Sequence, residues 1–170
     1  EDEAEFDSPA TIDALRRALV ALGHQVELLE VSGPASRTVA RLEAHHPDLI
    51  FNTAEGRRGR FREAFYPALF DELGMPFTGS DAYVCALTLD KQLTKLAVRE
   101  AGVPTPNWIF ATDTARIPKH DLRYPLIVKP NYEGSSKGIT VDSIVESEDA
   151  YVARVKQALA AYPSGLIIEE

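Results

Sequence analysis

Cysteine is almost missing from this sequence. The lone Cys85 excludes an internal disulfide framework and fits a reducing compartment. It lies in an apolar helical stretch, where a thiol acts as a small buried hydrophobe rather than a nucleophile. Long apolar runs are missing too. None reaches membrane-spanning length, and no signal-peptide pattern opens the chain as given. The reading is cytoplasmic, with no membrane partner. Basic charge is in deficit, with 18 Lys and Arg against 26 Asp and Glu and a formal charge of -8. That balance argues against nucleic acid as the main partner, yet a local lysine cluster can still hold a small anion. Two nucleotide fingerprints are absent. There is no GxGxxG, and no glycine is followed by Lys-Ser/Thr at the offset a Walker A loop requires.

What remains is ordinary for a globular chain. An apolar share of 45% over 170 residues is enough to build one large domain or two small ones. Ser8-Pro9 is a helix start, and Ile12, Leu15, Leu19 and Leu22 recur at helical spacing up to a stop at Gly23. Residues 25–31 alternate as a strand, and Gly33-Pro34 turns into a helix over 36–44. The adjacent His45 and His46 point in different directions on a helix, so they make a poor metal site. Leu49-Ile50-Phe51-Asn52 is a short buried strand. Strand and helix alternating at this spacing predict βαβ units and a parallel sheet. The loop beyond carries Glu55, Gly56 and three arginines at a strand's carboxyl end, where open parallel sheets bind ligands. It also reads as a solvated basic loop.

A helix over 63–73 stops at Gly74, and Pro76-Phe77-Thr78-Gly79 forms a short strand and turn. Ser80 or Asp81 caps a long helix to about residue 101, with Leu89, Leu93 and Leu96 as its buried stripe. Lys91 and Lys95 lie one turn apart on another face and can aim at one anion. Paired helical lysines are usually a solvated face, so the pattern alone does not single them out. A strand over 108–111, a turn-rich stretch to 124, a helix over 149–162 and the strand Leu166-Ile167-Ile168 complete the chain. The chain begins with an acidic run and stops directly after an apolar strand. A fragment is expected.

The most informative stretch is Leu-Ile-Val-Lys-Pro-Asn-Tyr-Glu-Gly-Ser-Ser-Lys-Gly, residues 126–138. A buried strand ends at Lys129, because Pro130 bars further pairing. Glycines let the following backbone approach a ligand closely, while serine hydroxyls, Lys129 and Lys137 add donors and positive charge. Such a combination suits a polyphosphate. The same stretch also reads as a Gly-Ser hairpin returning through Ile139-Thr140-Val141.

Several stretches fall in one order: Phe51-Asn52-Thr53-Ala54-Glu55-Gly56, Leu73-Gly74-Met75-Pro76-Phe77-Thr78-Gly79-Ser80, Leu89-Asp90-Lys91, Ala101-Gly102-Val103-Pro104-Thr105-Pro106, Val128-Lys129-Pro130 with Glu133-Gly134-Ser135-Ser136, and Ile168-Glu169. Singly each is weak. Together they resemble the D-alanine–D-alanine ligase family of ATP-grasp enzymes, over nearly the whole chain from about Asp48. The resemblance implies a Rossmann-like parallel-sheet N-terminal domain over residues 1–79. The first α+β lobe of an ATP-grasp fold would follow over 80–170, cut before the C-terminal lobe.

The resemblance also implies a chemistry. The family joins a carboxylate to an amine with ATP and magnesium, through an acyl phosphate. Lys91 and Lys129 would contact the ATP phosphates, and Glu133 and Gly134 would belong to the nucleotide-binding loop. Ser135 and Ser136 would sit in the flexible part that closes over the reacting groups. Glu169 would lie in the strand binding the adenine edge, with Glu170 beside it where a lysine is more familiar. Glu55 and Gly56 would face the amino-acid substrate, at a place where the family usually has His-Gly. Arg60-Phe61-Arg62-Glu63 stands where an acidic Glu-Asp-Gly run is usual, so the acceptor can differ from D-alanine. Magnesium ligands are expected beyond the end of this chain, which by itself should not catalyse ligation. The implied partners are small amino acids, and a homodimer is allowed. The alternatives are an ATP-grasp ligase for another amino acid or peptide, and a non-catalytic nucleotide-binding module.

Overall fold

Short apolar runs bounded by proline and glycine become the strands of one antiparallel sheet. In the computed structural model, which describes residues 7–170, these are β1 (Trp108–Ala111), β2 (Leu126–Pro130), β3 (Ile144–Val145) and β4 (Leu166–Glu169). They are ordered β1-β4-β2-β3. Strand β4 has a neighbour on each side, and all four of its residues are buried. Side chains then sort by the period of two. Leu126, Val128, Leu166 and Ile168 share a core with Tyr151, Val155 and Leu159 of α6 (Glu148–Ala161). Each large apolar side chain there contributes about 1.5–3 kcal/mol by leaving water. Residues opposite in register share a face. Pairing of Lys129 with Ile167, and of Ile127 and Trp108 with Glu169, therefore places all five on the other side of the sheet.

The first half of the described chain is helical. In α1 (Pro9–Ala21), Ser8 Oγ accepts from Thr11 N at 3.1 Å. Helices α2 (Ala35–His45) and α3 (Arg62–Glu72) bring Leu42, Tyr66 and Phe70 into a second core, with Leu29, Val31, Ile50 and Phe77 around it. Helix α3 also packs on α4 (Ala82–Leu89). No helix among the described residues is long and apolar enough to cross a membrane.

Several local expectations are corrected. Residues 25–31 run without forming a strand; Arg41 donates to the Leu28 and Glu30 carbonyls at 3.4 Å each. The expected strands at 49–52 and 76–79 shrink to one parallel bridge, Ile50 to Phe77. Its two bonds are Ile50 N to Pro76 O at 2.8 Å and Thr78 N to Ile50 O at 2.9 Å. The parallel direction is as expected, but the sheet is not built out. The single helix after Asp81 is two, α4 and α5 (Lys91–Glu100). Asp90 leaves the helical region at ψ 94° and its side chain caps Leu93 N. That break rotates the pattern: Leu93 and Leu96 are exposed, and the buried residue of α5 is Lys95. The strand returning to β2 is Ile144–Val145 rather than 139–141, because a 3-10 turn (Val141–Ser143) intervenes. Ser143 is buried there and accepts from Thr140 N at 3.0 Å.

Candidate functional site

The end of β2, the start of α5 and the loop after β2 meet at one pocket of about 310 Å³. Its lining includes Lys91, Lys129, Glu133, Gly134, Ser135 and Ser136. The structure thus gathers six of the residues singled out in the sequence, from positions up to 45 apart. Lys129 is there because the pleat turns it away from the α6 core. Lys91 is there because Asp90 ends α4 and starts α5 at that point. The Lys91 ammonium donates to the Glu133 carbonyl, which anchors the loop to the helix.

Loop geometry is unusual. Ser135 and Ser136 both have positive φ, 45° and 58°, a region that costs a non-glycine residue on the order of 1 kcal/mol or more. Gly138, at φ 75°, closes the loop against Pro130 and Tyr162. Arg62, at the start of α3 and buried, donates to Tyr132 O at 2.7 Å and pairs with Glu133 at 3.3 Å. Lys137 lies 3.8 Å from the same carboxylate.

Behind the pocket lies a charge cluster. Glu169 Oε1 contacts the Lys129 ammonium, and Glu169 Oε2 accepts from Lys95 Nζ at 2.7 Å. Lys95 also donates to Thr105 Oγ1 at 2.7 Å and sits 5.0 Å from the Trp108 ring centroid. Burial pulls the Lys129 ammonium below its ordinary pKa, and Lys95 and Lys91 push it the same way. Burial lowers Lys95 likewise. A site in which cations repel one another in a dry environment is improved by an incoming anion.

The remaining sequence candidates stand apart from the pocket lining. Glu170 is turned to Arg123, accepting from its backbone N and Nη2 at 3.0 Å each. Those bonds hold its carboxyl down to about 2. Gly56 N donates to Arg62 O at 2.8 Å, and a Cβ there would meet that oxygen at 2.8 Å. Close backbone approach accounts for Gly56 without a ligand. Sequence reasoning weighs Lys95 only as half of a helical lysine pair and Arg62 only as part of a departure from the family run, and gives Asn131 no role. Only Lys95 carried a signal, its one-turn spacing from Lys91.

Among the described residues no group of three or more His, Cys, Asp or Glu could hold a metal ion. No family model matches the chain. Relatives do. A D-alanine–D-alanine ligase of Coprothermobacter proteolyticus is 34% identical over 157 residues, covering 89% of this chain and 49% of that protein. The chain belongs to the D-alanine–D-alanine ligase family. An uncharacterized Sinorhizobium fredii protein, y4sG, is 33% identical over 93% of this chain and 47% of its own length. This family member therefore spans about half the length of the curated relatives it matches. The crystal structure of the Bacillus anthracis D-alanine–D-alanine ligase complexed with ATP superposes with a TM-score of 0.70 at 20% identity, covering 96% of this chain and 55% of that one. That likeness shows a shared mixed α/β fold.

Proposed function

We propose that the protein carrying this chain is an ATP-dependent carboxylate–amine ligase that forms a D-alanyl-D-alanine-like dipeptide bond in the cytoplasm, for cell-wall precursor synthesis. The observation that carries the reading is the meeting of Lys91 and Lys129, from a helix and a strand, beside the Glu133–Gly134–Ser135–Ser136 loop. Phosphoryl transfer asks for positioning and charge neutralisation more than for covalent catalysis by the protein. Two lysines facing one pocket supply the second, and a strained Gly-Ser loop supplies a cover that excludes water.

ATP, when bound, supplies the phosphoryl group that activates the carboxylate. In this reading Lys91 and Lys129 hold its phosphates, with the loop at Glu133 and Gly134 beneath. Ser135 and Ser136 cover the reacting groups. Glu169 ends the strand offered to the adenine edge and Glu170 follows it, while Glu55 faces the amino-acid substrate from the loop where Gly56 packs closely on Arg62. Two hydrophobic cores with no member in common support a Rossmann-like domain to residue 79 and an ATP-grasp lobe after it. The described residues include no cluster that would hold the magnesium that the family implies.

The test is phosphate release from ATP by the complete gene product, with D-alanine and then other amino acids. Release that depends on D-alanine is expected. Release only with another amine would support the second reading, a related ligase, which Glu55-Gly56 and the arginines after it favour. Nucleotide binding without turnover on any amine would overturn the ligase.

A further inference from the structure

The geometry points to Lys95 as a positioning residue of this site: it holds one oxygen of Glu169 so that Lys129 keeps donors for a ligand in the pocket. This inference rests on the nucleotide reading above. Lys95 does not line the pocket, whereas Lys129 does. Both ammonium groups contact the same carboxylate, one oxygen each. Lys95 and Glu169 are buried, at 8% and 7% exposure, so no water competes for that carboxylate with the strength it would have at the surface.

The two lysines are held differently. Lys95 is fixed on three sides, by Glu169, by Thr105 Oγ1 and by the face of Trp108. Those contacts use up its donors, so it is a stationary cation. Lys129 contacts Glu169 through one oxygen and otherwise faces the pocket. Were Lys95 neutral, both carboxylate oxygens would turn to Lys129. A one-to-one buried pair would form, and the lysine would be drawn off the pocket wall. Sharing the carboxylate between two cations leaves positive charge at the wall, where an anion can use it. Sequence spacing put Lys91 and Lys95 on one helix face. The fold gives them separate tasks, one at the pocket and one behind it.

The experiment is a double-mutant cycle on ATP affinity with Lys95→Met and Glu169→Gln, each alone and together, at low and high salt. Lys95→Met is expected to weaken ATP binding about tenfold in the native background and by less than about threefold when Glu169 is Gln, because no carboxylate then recaptures Lys129. The tenfold loss should also shrink at high salt. Equal losses in both backgrounds, or a loss indifferent to salt, would overturn the proposal and indicate a merely structural lysine. If Lys95→Met does not fold, Thr105→Val serves instead. It keeps the charge but frees its anchor, and is expected to cost a few-fold in affinity; no cost would overturn the proposal. Absence of ATP binding by the native protein would instead remove the nucleotide reading itself, and the role of Lys95 with it.

Discussion

Asn131 Nδ2 donates to Asp90 Oδ1 at 2.7 Å, with both side chains buried. The same amide accepts Gln92 N at 2.9 Å, and the Asn131 carbonyl accepts Lys91 N at 3.2 Å. One buried residue thereby stitches the exit of β2 to the first turn of α5. Lys129 lies two residues before it and Lys91 lies on the helix it holds, so this contact sets the spacing of the two pocket lysines. Replacing Asn131 by Leu leaves the Gln92 N–H without its acceptor and removes one of the donors to the buried Asp90 carboxylate, which keeps Leu93 N. The expected loss is about 2–3 kcal/mol, read by urea denaturation. A loss under about 0.5 kcal/mol would show that the amide does not hold the elements together.

Lys129→Ala should lower ATP affinity of the complete protein by more than about tenfold, the usual consequence of removing a desolvated charge that faces a charged ligand. Calorimetric titration decides it. Unchanged affinity would sink the phosphate role.

Gly138→Ala meets two obstacles. A Cβ would stand 2.6 Å from Pro130 Cγ and 2.8 Å from the Tyr162 ring, on a backbone at φ 75°. Overpacking and an unfavourable φ together are expected to cost about 2–4 kcal/mol. Thermal unfolding is the measurement, and a melting temperature equal to the native one would contradict the closure drawn here.

Glu170 carries a pH dependence. Arg123 holds its carboxyl down to about 2, from an ordinary 4.5. A depressed folded-state pKa means stability that is fully present above about 4.5 and is lost as pH falls toward 2. An NMR titration should place Glu170 well below its ordinary 4.5, and Arg123→Ala should return it toward that value. A native titration near 4.5 would remove the contact. Arg123 is largely exposed, so salt screens the pair and the midpoint should also rise with salt.

The sequence by itself determined the local code. Ser8-Pro9 started a helix, Pro130 stopped β2, and the apolar runs at 108–111, 126–130 and 166–169 became strands, since capping and period-two burial are decided within a few residues. The loop after β2 reads in sequence as a candidate polyphosphate site or a plain hairpin, because donors, glycines and charge lie consecutively; the fold sets it beside Lys91 and Lys129. Only the tertiary structure decided which partners those elements found. The run at 25–31 has strand composition, but its carbonyls went to Arg41 and no ladder formed. The stripe of Leu89, Leu93 and Leu96 suited one unbroken helix, yet Asn131 fixed Asp90 as a cap and rotated Lys95 inward. Glu169 ends β4, and register set it diagonally from Lys129 and directly opposite Trp108. Propensity acts over a turn or a pleat. A buried carboxylate shared by two lysines depends on residues 74 apart, and no local rule reaches that far.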